Sequence, residues 1–156
     1  MPRRKYHRVE RDIKDPMYND LVIGSTINRI LKRGKKSTAE RVMYQALDIV
    51  GKKTGKPPRD VYATAIKNVA PTVQVKSRRV GGATYQVPIE ISPDRQLALA
   101  IGWLLENAAD RKGGSFSARF AEEILDASEN KGGAIKKKLD THKMAEANKA
   151  FSHYRF

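Results

Sequence analysis

Between Pro71 and Pro93 the spacing of apolar residues changes from helical to alternating, and beyond Pro93 it changes back. Val73 and Val75 alternate with Gln74 and Lys76. Past Gly81-Gly82, Tyr85, Val87, Ile89 and Ile91 alternate with Gln86, Pro88 and Glu90. A period of two marks a strand with one face turned inward, and a Gly-Gly pair between two such runs marks a hairpin. The spacing predicts strands over about 72–79 and 84–91. Pro88 lacks the N–H that a central strand donates, so a two-stranded ribbon suits it better than the middle of a sheet. One hairpin cannot make a β fold by itself, so the rest of the chain has to be helical.

The flanking residues agree. Ile23, Ile27, Ile30 and Leu31 follow helical spacing, with Gly34 as a stop. Ala39, Val42, Met43, Ala46, Leu47 and Val50 mark a second helix, and Ser37 with Glu40 has capping-box spacing near its start. Val61, Tyr62, Ala65, Ile66 and Val69 mark a third, closed by Pro71. Ser92-Pro93 reads as an N-cap followed by a first-position proline. It opens a helix with Leu97, Ile101, Leu104, Leu105 and Ala108 on its stripe. Phe116, Phe120, Ala121, Ile124 and Leu125 give a fifth. After Gly132-Gly133 a sixth places Ile135, Leu139 and His142 on one face and runs towards Phe151.

The expected fold class is mainly α. About six helices form one bundle-like domain over residues 18–156, with a projecting β-hairpin at about 72–91. Residues 1–17 are basic, carry Pro2 and Pro16 and lack hydrophobic periodicity, and so read as an extended arm.

Charge narrows the function. The chain has 31 Lys+Arg against 17 Asp+Glu, a net charge of +14 over 156 residues. That excess repels itself unless a polyanion neutralises it, and nucleic acid does so with release of condensed counterions. A membrane is not expected as partner, because the longest apolar run, Leu97 to Leu105, is too short to span a bilayer. The basic start, Met1-Pro2-Arg3-Arg4-Lys5, is followed by no apolar region of the secretory type. The absence of cysteine excludes disulfides, zinc ribbons and thiol chemistry, and a cytoplasmic location is the default.

Catalytic and cofactor signatures fail. Gly34-Lys35-Lys36-Ser37 resembles the tail of a P-loop, but Lys36 and Arg29 occupy positions the motif reserves for Ser or Thr and for Gly. His142 and Glu146 lie at i, i+4, one pair short of a metal site. Acidic residues such as Glu122-Glu123 and Asp140 are scattered among basic ones, without the buried pairing that acid–base chemistry needs. No enzyme activity, metal or cofactor is expected.

The basic residues fall into clusters. Lys76, Arg78 and Arg79 crowd towards the hairpin tip, more charge than an edge strand needs against aggregation. Lys32 and Arg33 end a helix, where cations complement the dipole. Lys35 and Lys36 sit at a helix start, where added lysines suit an anion, and these are assigned to phosphate. Lys136, Lys137 and Lys138 fan around a helix turn, and a solvated face accounts for any one of them equally well. With Lys131, Lys143 and Lys149, that helix is basic along its length. The arm cations Arg3, Arg4, Lys5, Arg8 and Arg11 are expected to order on RNA. Phe151, His153, Tyr154, Arg155 and Phe156 mix aromatics with cations, suiting base stacking, docking on a neighbouring protein, or a tail folded back on the core.

Val75-Lys76-Ser77-Arg78-Arg79-Val80-Gly81-Gly82-Ala83-Thr84-Tyr85-Gln86-Val87-Pro88 resembles the hairpin of the bacterial-type small-subunit ribosomal protein number seven family. Gly34-Lys35-Lys36-Ser37 with Ala46-Leu47-Asp48-Ile49-Val50, and the run from Asp140 to Phe151, are similar to the same family. The resemblance covers nearly the whole chain after about Asp15. It implies six helices with a projecting ribbon and a primary binder of small-subunit ribosomal RNA that nucleates assembly of the subunit head. It also implies a ribbon near the exit-site transfer RNA and the messenger exit path, with the ninth and eleventh small-subunit proteins as neighbours. RNA contact is implied for Lys35, Lys36, Lys76, Arg78 and Arg79, and after them for the arm and the sixth helix.

Two other readings share these residues. An architectural DNA-binding protein also uses basic β-arms, though it often inserts an apolar wedge and the tip offers only Val80. A protein–protein adaptor in a larger particle would use the C-terminal aromatics.

Overall fold

The computed structural model describes residues 14–154, with the backbone alone described for Tyr154. Among these the order is α1 (Leu21–Ile30), α2 (Lys36–Thr54), α3 (Pro58–Val69), β1 (Val73–Val80), β2 (Ala83–Glu90), α4 (Pro93–Asp110), α5 (Phe116–Ser128) and α6 (Gly133–Ala147). A C-terminal 3-10 helix, Lys149–Tyr154, follows. The fold is thus mainly α, with six helices and a single two-stranded antiparallel sheet. The arm residues Arg3, Arg4, Lys5, Arg8 and Arg11 lie outside the described residues, as does Arg155.

Much of the core comes from the predicted stripes. Ile23, Ile27, Met43, Leu47, Val50, Tyr62, Val69, Leu104, Phe120 and Ile124 are all 2% exposed or less. Area burial on this scale, at about 25 cal/mol per Å² of apolar surface, holds the helices together. The Thr26 hydroxyl donates to the Val22 carbonyl at 2.8 Å and pairs with the Tyr62 hydroxyl at 2.6 Å, so these two buried hydroxyls are satisfied. α4 buries a broader surface than its stripe foretold, because Ala100, Gly102 and Trp103 are inside as well, while Leu97 and Leu105 are only partly buried.

Local chemistry sets the helix starts. Asp20 caps α1, accepting from the Val22 and Ile23 amides at 2.7 and 3.4 Å. Burial opposes its charge, but the Arg59 hydrogen bond and those amides outweigh it and hold the carboxyl below its ordinary value. Asp15, in the stretch the sequence assigns to the arm, is 2% exposed. It accepts from the Met17 and Tyr18 amides and from the Tyr44 hydroxyl of α2, which fixes the chain against the body at this point.

Four local expectations need correction. No capping box forms at α2: Lys35 is the N-cap, so Ser37 lies inside the helix and Glu40 faces Lys36 instead. α1 ends at Ile30, so Lys32 and Arg33 lie beyond its last turn and Arg29 is the cation in it. Leu139 is 51% exposed, because α6 turns Ala134, Ile135 and Ala145 inward. α6 also stops at Ala147 rather than running to Phe151.

Candidate nucleic-acid interface

The turn joining α1 to α2 is built on two consecutive left-handed residues, Arg33 at φ 52° and Gly34 at φ 74°. This reversal delivers Lys35 and Lys36 to the α2 N-terminus, where no side chain caps the first amides. The Lys36 ammonium is 64% exposed and 3.8 Å from Glu40, an ion pair of little strength in water. Lys32, Arg33, Lys35 and Lys36 are all exposed, so four cations share one turn.

In the ribbon, Gly81 and Gly82 take φ 57° and 88°, the positive pair a tight primed turn demands. The register pairs Val80 with Ala83, Arg79 with Thr84, Arg78 with Tyr85 and Lys76 with Val87. Paired residues share a face, so the pleat divides the sequence cluster: Lys76 and Arg78 stand on the Val87–Tyr85 face and Arg79 on the opposite one. All three are exposed. Val87 is fully buried, which identifies the Lys76–Arg78 face as the one that meets the body at its root.

On α6 the lysines separate by role. Lys137 pairs with Glu106 of α4 at 2.5 Å, and Lys138 donates to the Asn68 carbonyl of α3 at 2.6 Å. Both tie α6 to its neighbours. Lys136 and Lys143, seven positions apart on one helix face, are exposed. Phe151 packs on Tyr85 of the ribbon, ring centroids 5.2 Å apart, so the tail folds back onto the ribbon rather than the main core. Tyr154 closes the 3-10 helix.

The sequence reading missed two features. One is Arg29, whose guanidinium lies across Gly102 of α4; a Cβ there would sit 3.0 Å from Nη2. A glycine inside an apolar helical run was the available signal for this close approach. Arg29 and Lys32 line a groove of about 430 Å³ with Ile30, Leu105, Glu106 and Phe116. The other is Glu123, only 1% exposed and paired with Arg111, which corrects the expectation that the acidic residues lack buried pairing. Its partners are a cation and a helix start, so the role is structural. Among the described residues no helix is long and apolar enough to cross a membrane, and no group of three or more His, Cys, Asp or Glu is placed to hold a metal.

The family described as ribosomal protein S7p/S5e matches this chain over residues 2–149. Small ribosomal subunit protein uS7 of Caldicellulosiruptor saccharolyticus is 52% identical over 157 residues, covering 100% of both chains. The proteins of the same name from Acetivibrio thermocellus and Teredinibacter turnerae are 54% and 51% identical, again over the full length of each. These proteins are structural rather than enzymatic, in line with the failed catalytic signatures. With the family model matching residues 2–149 and relatives about half identical over their full length, the chain belongs to the ribosomal protein S7p/S5e family.

Proposed function

We propose that the chain is a structural component of the small ribosomal subunit that binds ribosomal RNA in the subunit head and nucleates its assembly. The observation that carries this reading is the spacing of exposed cations around a packed helical body: Lys35 and Lys36 at one turn, Lys76, Arg78 and Arg79 on the ribbon, Lys136 and Lys143 on α6. Separated phosphate contacts on a rigid frame suit a folded RNA, whose strands approach from several directions. Lys35 and Lys36 take phosphate at the uncapped α2 start. The ribbon cations contact RNA on both faces of the hairpin, near the exit-site transfer RNA and the messenger exit path. Lys137 and Lys138 contribute less than Lys136 and Lys143, being held by Glu106 and the Asn68 carbonyl.

In this reading residues 18–156 act as one domain and residues 1–17 as an arm whose Arg3, Arg4 and Lys5 follow the RNA. Tyr154 and Arg155 contact RNA or a neighbouring protein, with the ninth and eleventh small-subunit proteins adjoining. The protein works in the cytoplasm as part of the ribosome. Binding to a folded head fragment of small-subunit ribosomal RNA, measured with excess duplex DNA as competitor, tests the assignment. Retention of RNA binding is expected; equal affinity for both nucleic acids would overturn it in favour of an architectural DNA binder.

A further inference from the structure

The ribbon is attached to the body by more than its two chain connections. Val87, Ile91 and Ala145 are 0, 6 and 4% exposed, yet all three stand outside the main core cluster. Here α6 packs on both strands and the C-terminal 3-10 helix packs on β2, a small layer beneath the ribbon. At the root, the Thr72 amide donates to His142 Nε2 of α6 at 3.2 Å. Farther up, Phe151 meets Tyr85 at the rung that carries Arg78.

The chain is shaped to make that second contact. α6 ends at Ala147, with Asn148 at φ −96° and ψ 11° as its C-cap. The Phe151 amide then donates to the Asn148 carbonyl at 3.0 Å, tightening the path into 3-10 geometry. Had the α-helix continued, Phe151 would keep the direction of α6 instead of turning onto β2. A two-stranded hairpin is marginally stable alone and needs a third element behind it.

We propose that Phe151 is a positioning residue: by bracing Tyr85 it fixes the direction of the ribbon, and so places Lys76, Arg78 and Arg79 for RNA. The inference rests on the ribbon's RNA role proposed above. Because its cost of ordering is met before binding, a braced ribbon binds more tightly than a loose one carrying the same charges. Phe151 acts through the ribbon and makes no contribution once the ribbon's cations are gone.

The chain has no cysteine, so Arg41→Cys on α2 and Thr84→Cys near the tip give one unique pair of spin labels in the full-length protein. With Phe151→Ala the inter-label distance distribution is expected to broaden, while Phe151→Tyr keeps it narrow. Affinity for a small-subunit ribosomal RNA head fragment is expected to fall about five- to tenfold with Phe151→Ala. Added to Lys76→Ala, Arg78→Ala and Arg79→Ala, the same substitution should cost nothing further. An unchanged distance distribution would overturn the brace. An equal loss in the neutral-ribbon background would overturn positioning, since Phe151 would then touch RNA itself. Broadening with undiminished RNA affinity in both backgrounds would uphold the brace and overturn the RNA role of the ribbon instead.

Discussion

Glu123 Oε1 accepts the backbone N–H of Ala134 at 2.9 Å, so a carboxylate on α5 caps the start of α6. Its other oxygen takes Arg111 Nε at 2.7 Å and Nη2 at 2.6 Å. Burial alone would lower the Arg111 guanidinium, but its bonds to Asp126 and Glu123 push it above its ordinary value. Arg111 keeps Asp126 and Glu122 as partners and is itself partly exposed, so the main loss is the hydrogen bond that satisfies the buried Ala134 amide, which costs about 1–3 kcal/mol. Glu123→Ala is therefore expected to lose stability on that scale in urea denaturation, and Glu123→Gln less, since an amide oxygen still caps Ala134. A loss below about 1 kcal/mol for the alanine variant would count against this account.

Gly133, the first residue of α6, sits directly against the Asn107 side chain of α4. A Cβ on Gly133 would fall 2.2 Å from Asn107 Oδ1 and 2.8 Å from its Cγ. Gly133→Ala should destabilise by about 1–3 kcal/mol through overpacking. In an Asn107→Ala background those two atoms are gone, and the same substitution should cost much less. Additive losses in a double-mutant cycle would show that the clash is not the cause.

Salt dependence separates the cations that meet phosphate from those that hold helices together. Replacing Lys76, Arg78 and Arg79 together by alanine should lower the salt slope of RNA binding by about 2–3 units. Lys136→Ala should lower it more than Lys137→Ala, whose ammonium is already held by Glu106. An unchanged slope in the triple variant would return the ribbon cations to edge protection.

His142 is held below its ordinary value of 6.5, first by burial and then by the Lys138 ammonium. A histidine kept neutral in the fold takes up its proton more readily when unfolded. Stability is thus lost as pH falls through about 6.5, and the loss levels off below the folded value. Protonation also removes the lone pair that accepts from Thr72. Relative to its intrinsic base-catalysed rate, the Thr72 amide is expected to lose protection against exchange between pH 7 and 5 in the wild type, with no matching loss in His142→Gln. The same pH profile in both proteins would exclude His142 as the source.

These features differ in how far the sequence revealed them. Ile23, Met43, Tyr62 and Phe120 were legible because each repeats at the period of its own helix, and the ribbon because Val87 and Tyr85 repeat at two. Leu139 was misjudged because spacing identifies a face but not the neighbour that covers it. The partners of individual charges were beyond reach: Lys137 with Glu106, Lys138 with the Asn68 carbonyl and Glu123 with Arg111 join residues distant in the chain. The pleat that sends Arg79 away from Lys76 and Arg78 is implicit in alternation, yet charge clustering alone hides it.

The small layer beneath the ribbon has a mechanical consequence. β1 has eight residues, about 27 Å of strand at a rise of about 3.4 Å each. On a lever of that length, a tilt of about 10° at the root carries the tip through about 5 Å, whereas a hydrogen bond to phosphate is lost within about 1 Å. Leverage over contacts at the tip therefore belongs to side chains that never reach it. Sequence drift in α6 and the C-terminal turn can re-aim the hairpin while every basic residue on it stays the same.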